Sequence, residues 1–470
     1  MDKPLFNKKQ QEVFDHLKAF VNGKSHDTFI LNGYAGTGKT YLIQHFGAYL
    51  KSNKILFSLL ATTGRAAAVL RGKTDLEVQT VHGELYFFSK VDGDHEDLDE
   101  KASPDDFGQM KLVFEPRKPD DFVKVYIVDE ASMLGSEVGP DTSFASFGSG
   151  KLLPDLLEAI GNNKIIFVGD PCQLPPIAQD NSPALNENWL VEHGRKVQVG
   201  TLDIIMRTQH DNDILSLAAS VRNQIGKPKI AAWTKLQALN RNNCSIYSHA
   251  NTLFLEYFAR FLQYGPADSI AICRSNSSCN KVNKSIRNRL YPNSKQMVNI
   301  GEILMVTQNN YLIPLTNGDF VEVLEIADIH SQSTLRFADV RVKQLFTAKE
   351  FSIKLALDPF LHHSPNLSAD QQRSLMIDFS KRMRQKNIKP NSEAYLETMK
   401  VDPFLNSLRA SYGYAVTCHK AQGGEWGDVY LFLDKGMYGI MSNDELLRWW
   451  YTAITRTKRQ LHLSLDWWII

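Results

Sequence analysis

The sequence is poor in cysteine, with five in 470 residues (Cys172, Cys244, Cys273, Cys279 and Cys418), scattered and without a C-x-x-C pair. That spacing excludes a disulfide framework and a structural zinc site, and leaves reduced core thiols as the expectation. No uninterrupted apolar run reaches bilayer length, and the start, "MDKPLFNKKQ", has no apolar targeting segment. Secretion and membrane spanning are therefore not expected, and the chain is read as cytoplasmic, in the host cytoplasm if its source is viral. Net charge is nearly absent as well, at +1 from 53 basic and 52 acidic residues. Any nucleic-acid contact must then come from a local basic groove and not from a globally basic body. There is no internal repeat and no low-complexity tract.

What is present is an ordinary folded composition, 43% apolar and 22% charged, on a chain long enough for about two to four domains. "TFILNG" at 28, "KILFSLLATT" at 54, "KVYIVDE" at 124 and "KIIFVGD" at 164 are nearly continuously apolar. Such runs suit strands buried on both faces of a parallel sheet, and they predict a doubly wound α/β domain. Between the second and third lies a polar, acidic, turn-rich excursion. After about residue 200 the α/β pattern returns in "SIAICRSN", "DVYLFLD" and "QLHLSLD". Those strands are separated by β-rich runs and by a basic helical segment at 371–390, whose reading is left open between a solvated face, a brace and a duplex holder. The organisation expected is a first α/β domain at 1–84 and 122–200 with an insertion at 85–121. A second α/β domain at 201–297 and 411–470 carries a small β-barrel with a helical extension at 298–410.

"GYAGTGKT", directly after the strand "TFILN", satisfies G-x-x-x-x-G-K-[ST] with Gly33, Gly38, Lys39 and Thr40, and encloses Ala35, Gly36 and Thr37. Glycines let the backbone wrap phosphates with its N–H groups while the following helix turns its positive end toward them. Lys39 is expected on the β- and γ-phosphates of ATP and Thr40 on Mg²⁺. "VYIVDEAS" supplies the partner, with Asp129 as the second Mg²⁺ ligand and Glu130 placed to orient or deprotonate water. In "VGDPCQLPPI", Gln173 is expected to sense the γ-phosphate, and Pro175 and Pro176 form a stiff apolar shelf for a base.

These ordered motifs resemble superfamily 1 helicases of the RecD-like branch over nearly the whole chain. The resemblance implies two RecA-like domains with ATP between them, a strand-splitting pin in the first and an SH3-type barrel in the second. "FNKKQQEVF" is similar to the family's adenine-reading motif and puts Gln10 at the base edge, although Phe6 and Asn7 replace the commoner Leu-Thr. "ATTGRAA" (Thr63, Gly64, Arg65) and "TVHG" (Thr80, His82) resemble its strand contacts, and "KLVFEP" around Phe114 resembles the pin's apolar tip. Arg207 in "IIMRTQ" and Arg456 in "YTAITRTK" match two arginines that reach the γ-phosphate. In "YAVTCHKAQGGEW" the resemblance places Thr417, His419 and Lys420 on the strand, and Gly424 and Glu425 near the nucleotide.

The function implied is ATP-driven travel along single-stranded DNA, 5′ to 3′ in this branch, with unwinding of duplex. Forked and single-stranded DNA are the expected partners, single-strand-binding or replication proteins are candidates, and a monomer is expected. An RNA or hybrid helicase, a P-loop kinase and a catalytically dead strand-binding module remain as alternatives. A Cys418–His419 dyad is disfavoured, since adjacent side chains diverge in a strand or in a strand-to-helix turn.

Overall fold

A strand that is nearly continuously apolar must be covered on both faces. "TFILNG" and "VYIVD" meet that condition in the computed structural model, which describes residues 5–92, 111–118, 122, 124–138, 145–205, 213–228, 233–310, 312–362, 364 and 366–470. Thr28–Gly33 lies between Lys164–Gly169 and Val197–Leu202 in a six-stranded sheet whose pairings are all parallel. The order continues from Lys164–Gly169 to Val125–Asp129, Phe57–Ala61 and Val78–Thr80. Because the strands are parallel, "GYAGTGKT", Asp129 and Asp170 all emerge at one edge, where α/β sheets bind ligands. Apolar clusters cover both faces of the sheet.

A second parallel sheet is ordered Cys244–Tyr247, Thr457–Ser464, Trp426–Phe432, Ser269–Cys273 and Ala415–Thr417. Inserted into it is an antiparallel sheet of Glu350–Ala356, Leu335–Gln344, Phe320–Gln332, Ile303–Val306 and Ala410–Tyr412. The fold is thus α/β with two parallel sheets and an antiparallel insertion. Among the described residues, no helix is long and apolar enough to cross a membrane.

A small fourth sheet pairs Tyr86–Asp92 with Lys111–Pro116, and it recruits Ala145–Phe147 from beyond the 85–121 segment. The basic segment at 371–390 belongs mostly to the helix Ala369–Gln385, which buries Leu375, Met376, Phe379 and Met383. Its spacing produces one apolar stripe and leaves the charges on the other side. The stripe packs with Tyr395, Met399 and Val91 of the small sheet. Asn391 then accepts from the Val91 N–H at 3.3 Å and donates to its carbonyl at 3.2 Å. These contacts tie the segment to the small sheet through Val91.

One buried imidazole makes the second sheet acid-sensitive. His462 is 4% exposed, stacks on Tyr430 at 4.0 Å and shares a 2.9 Å hydrogen bond with the Tyr247 hydroxyl. Burial pushes its pKa down to about 4, outweighing the nearby Asp428 carboxylate. The unfolded chain takes up that proton near pH 6.5, so the stability is fully present above about 6.5. It is lost as pH falls toward about 4, by about 3 kcal/mol. His462→Gln should flatten the fall in stability between pH 7 and 4.5 in urea titrations; an unchanged slope would place the acid sensitivity elsewhere.

Candidate active site and strand-binding face

The loop after Thr28–Gly33 takes positive φ at Gly36 (80°) and Gly38 (85°), which a side chain would resist. A Cβ at Gly33 would sit 2.8 Å from Lys39 Cγ. Helix Lys39–Ser52 has Gly38 as its N-cap, so no side chain covers its first N–H groups. Those donors face the cleft as an anion site. Lys39 Nζ folds back onto the carbonyls of Gly33 (2.6 Å) and Tyr34 (3.2 Å), a position from which phosphate oxygens can draw it.

Asp129 ends its strand, and burial followed by the neighbouring Glu130 charge pushes its carboxyl up to about 7, against the pull of Lys39. Glu130 sits at φ 52° with Oε2 buried and without a hydrogen-bond partner. A buried carboxylate pair short of positive charge fits Mg²⁺, which Asp129 and Thr40 would hold. Gln173 is 3% exposed, and its Oε1 is likewise buried without a partner.

These groups line one cleft of about 420 Å³, closed on its far side by Gly423, Glu425, Thr455 and Arg456 from the second parallel-sheet unit. Arg456 is held by donating to the carbonyls of Thr452 (3.0 Å) and Gly424 (3.3 Å) and to Thr455 Oγ1 (3.1 Å). Glu425 pairs with Lys73 of the first unit at 3.3 Å and with Lys458 at 3.5 Å. Arg207 lies outside the described residues.

Gln10 does not line the cleft. Its Oε1 accepts from the Asn7 N–H in a capping box, and its Nε2 donates to the Thr37 carbonyl at 3.1 Å. The Asn7 that replaces the commoner threonine caps the first helix, and Gln10 supports the phosphate loop in place of the base edge expected for it.

The strand residues divide more sharply. Thr417 and Lys420 line a small polar pocket with Asn276 and Ser364, and burial lowers the Lys420 pKa. His419 is half-buried and its pKa is also lowered by burial. Cys418 is fully buried against the Trp449 carbonyl, and burial pushes its thiol up, so it fills core. Thr63 and Thr80 cap helices through Ala66 N–H and Gly83 N–H, each at 3.1 Å. His82 is half-buried, with burial lowering its pKa, and its ring meets Tyr86 and Phe147. Pro175 is buried, and Pro176 half-buried.

Two strand residues need correction. Arg65 is 2% exposed, its guanidinium centred 4.1 Å from the Trp426 ring and 5.1 Å from those of Phe320 and Phe346. Desolvation lowers its pKa to about 9 despite Asp319, and Nε has no partner. Beside it, a Cβ on Gly64 would overlap Thr316 Oγ1 at 1.9 Å. Arg65 therefore joins three units and is covered where a strand contact was expected. Phe114 is 7% exposed, stacked on Phe147 at 4.6 Å and edge-on to Phe88. It is a core residue of the small sheet and not an apolar tip.

Sequence reasoning missed Tyr451, whose hydroxyl meets Ala35 N–H and Asp170, and Arg222, which stacks 3.8 Å over Tyr34 of the phosphate loop. The signal for Tyr451 was its position in "YTAITRTK"; Arg222 had none.

Residues 5–243, half of the chain, match the family model described as an AAA domain, and residues 412–464 match a UvrD-like helicase C-terminal domain. The chain is 22% identical to the uncharacterized protein R530 of Acanthamoeba polyphaga mimivirus, covering 98% of this chain and 100% of that protein. It is 21% identical to the RecBCD enzyme subunit RecD of Buchnera aphidicola over 98% of this chain and 73% of that subunit. An ATP-dependent DNA helicase Pif1 of Bdellovibrio bacteriovorus is 28% identical over 40% of each chain. Among solved structures, Pif1 helicase from Bacteroides, in complex with ADP-AlF3 and ssDNA, shares the fold at TM-score 0.50 and 14% identity, covering 100% of this chain and 95% of that one. With the phosphate loop, Asp129–Glu130 and Arg456 around one cleft, the chain belongs to the RecD/Pif1-like helicases of superfamily 1 and is an ATP-dependent DNA helicase.

Proposed function

We propose that this helicase moves 5′ to 3′ on single-stranded DNA and splits forked duplex as a monomer, most like the Dda helicase of T-even bacteriophages. The observation that carries the mechanism is the shared cleft, with phosphate-loop residues on one wall and Arg456 on the other. In this reading Lys39 and the loop N–H groups hold the phosphates, and Glu130 orients the attacking water. Gln173 senses the γ-phosphate, while Arg456, with Arg207, neutralises charge developing on it. Bound Mg²⁺, held by Thr40 and Asp129, would supply further neutralisation. Closing the cleft brings the arginine to the phosphates, and hydrolysis releases it, so each cycle shifts one unit against the other.

The strand runs past Thr417, His419 and Lys420, where the polar pocket suits backbone phosphate. A Pif1 structure of the same fold carries ssDNA, which supports this reading. The small sheet of Tyr86–Asp92 and Lys111–Pro116 serves as the base of the strand-splitting pin, and the antiparallel insertion as the SH3-type guide. Forked duplexes carrying one loading tail at a time test the direction. Unwinding is expected only with a 5′ tail, and unwinding from a 3′ tail alone would reverse the assignment.

A further inference from the structure

Helix Asn443–Ile454 lies across the segment that follows strand Lys164–Gly169. Along this seam the Leu174 N–H donates to Thr452 Oγ1 at 2.9 Å. The Arg448 guanidinium donates to the carbonyls of Pro171 and Gln173. Between these contacts, the Tyr451 hydroxyl donates to Asp170 Oδ2 at 2.6 Å and accepts from the Ala35 N–H at 3.2 Å. Ala35 belongs to the phosphate loop, so one phenol joins the loop, the end of a neighbouring strand, and a helix of the other unit. Arg456 follows that helix by two residues.

We propose that Tyr451 is the positioning residue that sets Arg456 against the phosphates, a role that rests on reading Arg456 as the arginine finger. The hydroxyl has one proton, which it donates in the hydrogen bond to Asp170; its lone pair is then directed at the Ala35 N–H. Both bonds fix the ring, which is 1% exposed and cannot turn without moving the helix. Asp170 is itself fixed, fully buried and accepting from the Cys172 N–H at 3.0 Å. A shift of the phosphate loop on nucleotide binding or release is therefore passed through Tyr451 to the helix that carries the finger. The phenol remains protonated at working pH, since burial raises its pKa well above the usual value.

Tyr451→Phe keeps the ring and deletes both bonds. Strand-stimulated kcat is expected to fall about 10- to 100-fold, with affinity for a fluorescent ADP analogue unchanged and the melting temperature lower by only a few degrees, the cost of leaving Asp170 without the phenol. In an Arg456→Ala background, single-turnover hydrolysis should show no further loss on adding Tyr451→Phe, because the positioned group is gone. Normal kcat in Tyr451→Phe would overturn the proposal, as would a parallel loss of nucleotide affinity, or an additional loss of the same size in the double variant. Normal turnover in Arg456→Ala alone would instead remove the finger reading beneath it.

Discussion

Arg456→Ala should bind ATP as tightly as the parent and hydrolyse it about a thousandfold more slowly or worse, with or without DNA. The loop donors and Lys39, proposed to hold the ground-state phosphates, all belong to the other wall of the cleft. An arginine that meets charge only as it develops lowers the barrier without tightening the substrate, and such fingers are worth about 10³ to 10⁵ in rate. Arg456→Lys should recover little, because three hydrogen bonds orient a planar fork that an ammonium cannot reproduce. Equilibrium binding of a fluorescent nucleotide, set beside phosphate release, separates the two effects. Weakened binding at normal maximal rate would make Arg456 a ground-state ligand and dissolve the two-wall site.

Phe114→Ala should lower thermal stability and duplex separation together. The ring is shared between Phe88 and Phe147 within the cluster that covers one face of the first sheet. Deleting a buried phenyl costs about 3 to 5 kcal/mol, a large part of a typical domain's margin. The base of the small sheet would loosen before the phosphate loop does, so ATPase below the melting transition should outlast unwinding. Calorimetry alongside a forked-duplex assay decides it. Poor unwinding at an unchanged melting temperature would return Phe114 to a solvent-facing tip.

That residue also marks a limit of reading sequence. "KLVFEP" is an apolar run, and an apolar run states that a strand is buried without saying by what. Phe114 is covered by Phe147, a residue of a third strand that contributes only three residues. The phosphate loop and the Asp129–Glu130 pair were legible because each is a local device, a strand end joined to a turn whose chemistry sits within eight residues. Arg65 was not legible, since the rings around it come from Phe320, Phe346 and Trp426, brought there by tertiary folding. Tyr451 carried a local signal in "YTAITRTK", but its partners, Ala35 and Asp170, are distant in the chain and could not be read from it. Gln10 was expected at the base edge, but its amide is engaged by Asn7 and Thr37.

The cage around Arg65 also bears on which way the molecule relaxes. A guanidinium set among three rings, with its Nε–H buried and unpaired, has given up water that aromatic faces replace only in part. Parting the units would return that hydration. Holding the three units together therefore leaves this one side chain short of the water it would have in solution, a cost that the rings around it offset only in part.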